Sequence, residues 1–73
     1  MIETNQHEIT QAACDVLANS SVGELRQLRV DRMADQLQLS GRVRSYYHKQ
    51  LAQETVRSVA GGMRMVNHVR VSG

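Results

Sequence analysis

The sequence predicts an α+β fold, an αββαβ two-layer sandwich with two helices on one face of a mixed three-stranded sheet. Three observations carry that prediction. Apolar residues recur at helical spacing from His7 to Ala18 and again beyond Tyr46. Three other stretches alternate apolar and polar residues with the period of a half-buried strand. Each of those strands has one apolar side, so both helices belong on the same face and the other face is open to solvent or to a partner. The 73 residues read as a single domain, 1–73, burying roughly 60% of the surface of the unfolded chain.

The first helix takes its apolar stripe from Ile9, Ala12, Ala13, Val16 and Leu17. Asn5 with Glu8 three residues on resembles a capping box, and Asn19-Ser20-Ser21 ends the helix. Val22 and Leu25 follow as plugs for one end of the core. "LRVDRM" is then a strand with Leu28 and Val30 inward and Arg29 and Asp31 outward. A turn is expected at Met33-Ala34-Asp35, with Asp35 tolerating the unusual backbone angle.

Alternation resumes from Gln36 to Arg44, which makes an antiparallel hairpin. Leu37, Leu39, Gly41 and Val43 face inward; Gln38, Ser40, Arg42 and Arg44 face outward. Gly41 on the inward side either lets a helix approach or the strand bend, or marks a plain bulge. Ser45 is a good N-cap for a helix from Tyr46 to about Ala60. Its buried stripe is Leu51, Ala52, Thr55, Val56 and Val59, with Tyr47 and His48 at the margin. Gly61-Gly62 stops the helix with a left-handed cap.

The final strand, "MRMVNHVRV", turns Met65, Asn67, Val69 and Val71 to one side and Arg64, Val66, His68 and Arg70 to the other. A right-handed crossover through the second helix sets it parallel to the second strand.

Composition excludes several classes. The formal charge of +2 is too small to demand nucleic acid, although nearly all the cations are arginine. No apolar run is long enough to span a membrane. "MIETNQHEIT" shows no signal peptide; a cytoplasmic chain and a piece of a longer exported protein both fit that. A lone cysteine, Cys14, excludes an internal disulfide and reads as a small, partly buried residue.

The stretch "LQLSGRVRS", a helix, and then "VAGGMRMVNHVRV" together resemble the BON domain, a small module of bacterial envelope and osmotic-stress proteins. The family pattern is an apolar-x-Leu-x-Gly-x-Val strand, a helix, and a Gly-Val-x-x-Val-x-Asn-x-apolar-x-Val ending. Leu37, Leu39, Gly41 and Val43 meet its first part; Gly61, Met65, Asn67, Val69 and Val71 meet its last. Asp35 stands where the family usually has a turn glycine, and Gly62 where it has valine. The resemblance implies a non-catalytic binding module that attaches to membrane surfaces through phospholipid headgroups, some members acting in protein assembly. It also implies the periplasm or envelope, and it transfers no catalytic residue.

The residues themselves point to the outer side of the strands, which collects Arg29, Arg42, Arg44, Arg64 and Arg70, with His68, against Asp31. Strands lie roughly 4.8 Å apart, so a single positive patch is expected there. Arginine's fork suits phosphate, which makes anionic phospholipid or an acidic protein the expected partner. An exposed sheet face must be polar in any case, and arginines that merely solvate it are the competing account. Tyr46 and Tyr47 are candidates for an interfacial contact, with Tyr47 otherwise covering the core edge.

His7, Cys14, His48 and His68 are scattered without metal-ligand spacing, so no metal or other cofactor is expected. Neither a nucleophile with its base nor a carboxylate pair points to catalysis. Gly61-Gly62 precedes a strand rather than opening a helix, which is not the setting of a phosphate loop. RNA is disfavoured because the face offers no aromatic platform. Self-association through Val66 or an uncovered edge strand is the rival, as a protein-interaction or oligomerisation module of the envelope without lipid contact.

Overall fold

Helix α1 (Gln6–Ala18) and helix α2 (Tyr46–Arg57) lie on one side of five short strands in the computed structural model, which describes the backbone of residues 6–72 and the side chains of residues 8–72. The strands are β1 (Arg29–Met33), β2 (Gln36–Ser40), β3 (Arg42–Val43), β4 (Arg64–Asn67) and β5 (Arg70–Val71). β1, β2 and β4 form the expected mixed three-stranded sheet, antiparallel between β1 and β2 and parallel between β2 and β4. β3 and β5 continue it as a parallel pair.

The break between the two parts costs no register. Arg64 against Gln36 and Arg70 against Arg42 keep the same offset along the chain. The amides of His68, Arg70 and Ser72 donate to the carbonyls of Leu39, Gly41 and Val43, each at 2.9 Å, so the parallel ladder runs through the interruption. Hydrophobic alternation therefore survives from Leu37 to Val43, and one core serves the whole length.

That core is built as the periodicity requires. Ala13 and Leu17 from α1, Ala52 and Val56 from α2, and Leu37, Leu39, Val43 and Val69 from the strand side are each at most 1% exposed. Burying a Val or Leu side chain completely stabilises by roughly 1.5–3 kcal/mol, so this cluster is the main favourable contribution to the fold. Leu25, in a 3-10 turn over Leu25–Gln27, closes one end of it, and Val22 packs against it.

Gly41 owes its identity to a neighbour in the preceding segment, not to an approaching helix. Its φ is +130°, and a Cβ placed on it would stand 2.6 Å from Leu28 Cδ2 and 3.4 Å from Leu28 Cα. Leu28 precedes β1 and is itself buried, so its side chain fills the space a residue at 41 would otherwise occupy.

Several local expectations shift. The positive φ of the hairpin turn, +57°, falls on Ala34 rather than Asp35. α2 ends at Arg57, and the chain reaches Gly61 (φ +63°) through turns in which the Val59 amide bonds Val56 O and the Ala60 amide bonds Arg57 O. Tyr47 does not cover the core edge but is 67% exposed, and Val71, expected inward, is 42% exposed at the last pair of the ladder. The Asn5 half of the proposed capping box lies outside the described residues. Ser45 does cap α2, its Oγ accepting the His48 amide at 3.2 Å.

Candidate functional site

The strand registers lay out the open face as a grid. Met33, Gln36 and Arg64 form its first row, and Asp31, Gln38 and Val66 its second. Arg29 stands opposite Ser40 in the next row, with His68 on the far side, where its amide joins the ladder one residue beyond Leu39. Arg42 then faces Arg70 directly. Arg44 follows two residues on, just past the end of β3.

The grid divides the five arginines. Arg42 and Arg70 are direct cross-strand neighbours, and Arg29 lies diagonally from Arg42, a relation of about 7–8 Å in a sheet. Arg44 extends this group at the end of β3. Arg64 does not join it, because it pairs with Gln36, six positions before Arg42, or about 20 Å away at about 3.3 Å per residue. Ser40, Gly41, Arg42, His68 and Arg70 line one shallow depression on this face. The arginines thus concentrate where β1 has ended and the sheet narrows to β3 and β5.

Neither Arg42 nor Arg70 forms an ion pair with any described residue, and all five of these arginines are exposed. Two like charges held directly opposite each other destabilise a sheet, so an anion placed between them relieves a standing repulsion. Among the described residues no cluster of His, Cys, Asp and Glu is arranged to hold a metal ion, and no helix is long and apolar enough to cross a membrane.

Glu24 is the site residue that sequence patterning missed. Its Oε1 accepts the Arg44 amide at 2.6 Å and stands 3.5 Å from His48 Nδ1. His48 Nδ1 is in turn 3.0 Å from Ser45 Oγ. One carboxylate thereby ties the Val22–Gln27 loop to the end of β3 and the first turn of α2. The contact spans twenty residues of chain and belongs to no periodic stripe, so periodicity carried no signal for it.

On the helix-facing side, Asn67 is the pin. Its Nδ2 donates to Lys49 O at 3.1 Å and to Gln53 Oε1 at 3.2 Å, while its Oδ1 accepts the Val69 amide at 3.0 Å. This fixes α2 against the point where β4 gives way to β5. Cys14 has a quieter place, its Sγ 3.6 Å from Val30 O at the edge of β1.

The fold is a two-layer αββαβ sandwich with a polar, basic uncovered face. The chain belongs to the BON domain family, whose model matches residues 5–73 and so covers helices, hairpin and crossover alike. BON domains are binding modules, and the departures at Asp35 and Gly62 leave the match intact over the whole fold. A search of curated proteins finds no match to this chain.

Proposed function

We propose that this BON domain attaches to anionic membrane surfaces by holding phospholipid headgroups between Arg29, Arg42, Arg44 and Arg70, with Arg64 as an outlying contact. The observation that supports this most is the Arg42–Arg70 pair, two exposed guanidinium groups facing each other with no acid among the described residues to compensate them. A phosphate bridging them replaces repulsion with two forked, charge-assisted contacts.

Tyr46 and Tyr47 strengthen the reading. They are 63% and 67% exposed in the first turn of α2, just past the Ser45 cap that follows Arg44, where the amphipathic rings can settle at headgroup depth. Each basic residue near an anionic surface contributes about 1 kcal/mol, so four contribute about 4 kcal/mol. That corresponds to a dissociation constant of about 1 mM, a reversible and salt-sensitive attachment.

Co-sedimentation with phosphatidylglycerol vesicles, set against phosphatidylcholine vesicles, tests the proposal. Binding is expected to the anionic vesicles alone and to weaken as salt is raised. The double variant Arg42→Glu with Arg70→Glu keeps a like-charge pair across the strands, so its folding stability stays near the parent's. Its vesicle binding falls below detection. Parent-level binding by that variant removes the open face as the membrane contact.

A further inference from the structure

The edge of β3, beside the face already described, pairs with no strand on the side away from β5 among the described residues. In a parallel ladder, alternate residues send their backbone N–H and C=O to opposite neighbours. Leu39, Gly41 and Val43 turn their carbonyls to His68, Arg70 and Ser72. Arg42 and Arg44 therefore turn their backbone groups the other way, away from β5. The antiparallel register that pairs Arg29 with Ser40 would bring Gln27 against Arg42, but the chain there has already coiled into the Leu25–Gln27 3-10 turn. No strand of the described residues occupies that side of β3.

A groove of about 610 Å³ fills the gap between that turn and β3, and Val22, Glu24, Gln27, Arg42, Arg44 and His48 are among the residues that line it, its one acid, Glu24, already engaged by the Arg44 amide and His48. Its chemistry is directional. Arg42 and Arg44 stand along one wall with exposed guanidinium groups, while Val22 supplies an apolar patch on the other. The edge already accepts a carboxylate, since the Arg44 amide donates to Glu24 Oε1.

We propose that this edge receives an extended acidic segment of a partner protein, which adds to β3 as a further strand. The segment's backbone pairs with the N–H and C=O of Arg42. Its alternate acidic side chains lie on the open face beside Arg42 and Arg44, as opposite-charge cross-strand pairs. The side chains between them turn toward Val22 and Val43. A basic segment is excluded by the same two arginines, and a helix cannot satisfy the backbone edge. The surface is distinct from the membrane contact, although Arg42 and Arg44 border both.

The probe is a fluorescein-labelled octapeptide of alternating glutamate and valine, titrated with the protein by fluorescence anisotropy at physiological salt. Saturable binding is expected, and a lysine–valine octapeptide of the same length is expected to show none. Two further probes carry N-methyl groups on every glutamate amide or on every valine amide. An added strand turns only every second amide toward β3, so one of these binds and the other loses at least about tenfold. Equal binding by both, or loss of binding by both, overturns the proposal, as does failure of the unmethylated acidic peptide to bind.

Amide resonances of labelled protein are expected to shift at Arg42, Val43 and Arg44; a footprint confined to other strands also overturns it. Arg70→Glu separates the two surfaces. Arg70 lies beyond β3 from the groove, about a Debye length from the peptide, so peptide binding stays within about twofold of the parent while anionic vesicle binding drops. Parent-level vesicle binding by Arg70→Glu, or failure of the parent to bind anionic vesicles, therefore counts against the membrane reading and not against this one.

Discussion

Replacing Gly41 with alanine tests whether the kink between β2 and β3 is held by Leu28. Two costs add. At φ +130° an L-residue sits in a region that only glycine enters freely, a strain of about 1–3 kcal/mol. The new Cβ also meets Leu28, 2.6 Å from Cδ2 and 3.4 Å from Cα. The methyl group has little freedom to withdraw, because Leu28 is only 8% exposed and sits within the core cluster. Overpacking of this kind costs about 1–3 kcal/mol, so the sum is about 2–6 kcal/mol. A chain of this size holds roughly 4–11 kcal/mol in total, so the substitution removes a large share of it. Equilibrium urea unfolding reads the loss as a fall in midpoint of about 2 M or more, taking a slope of about 1 kcal/mol per molar urea. Adding Leu28→Ala separates the two costs. It removes the clash and leaves the strain, so a double-mutant cycle should give a favourable coupling of at least about 1 kcal/mol. A Gly41→Ala loss below about 1 kcal/mol, or strictly additive effects with Leu28→Ala, refutes this account of the glycine.

Two other substitutions probe the pin and the turn. Asn67→Ala removes three hydrogen bonds, two to α2 and one within the β4–β5 break, worth about 2–3 kcal/mol together, and calorimetry should show a fall in Tm of about 10–20 °C. A fall of less than about 4 °C would show that α2 is held by its apolar stripe alone. Ala34→Gly relieves the positive φ of the hairpin turn and is expected to stabilise by about 0.5–1 kcal/mol, raising Tm by about 2–8 °C. Destabilisation there would mean that the turn does not hold Ala34 in the left-handed region.

What could be read from the chain and what could not divide along a physical line. Features written in local periodicity were legible. The alternation from Gln36 to Val43, the stripe through Ala52 and Val56, and the Ser45 cap each depend on residues within a few positions of one another. The parallel placement of the last strand followed from the handedness of crossovers, again without side-chain detail. Features that depend on contacts across the fold were not. Gly41 was singled out on the right strand, but its reason lies in Leu28, which reaches it only through the antiparallel register. Glu24 sits in an irregular loop, where no pattern marks a carboxylate bound for a distant amide. Tyr47 fits the edge of a helical stripe by spacing, yet it lies in the first turn, beyond the strands that would cover it.

The crossover also explains why binding chemistry collects at one end of this molecule. A helix that returns antiparallel to the strand before it begins where that strand finishes. α2 accordingly starts at Tyr46, two residues after Arg44, and its partially positive N-terminus points to the same end as the closing residues of β3 and β5. Ser72 and His48 lining one groove with Arg42 and Arg44 is the direct sign of that convergence. Arginines at Arg42, Arg44 and Arg70 therefore add to a field that the topology already supplies, whereas Arg64, at the start of β4, adds to none. If topology and charge act together in this way, moving the charge should matter more than removing it. A chain with Arg70→Gln and Gln38→Arg keeps the same net charge but shifts one guanidinium two rows toward the hairpin. It should bind anionic vesicles distinctly more weakly than the parent. Equal binding would mean that the membrane senses only total charge, and that the placement of these side chains on the sheet is immaterial.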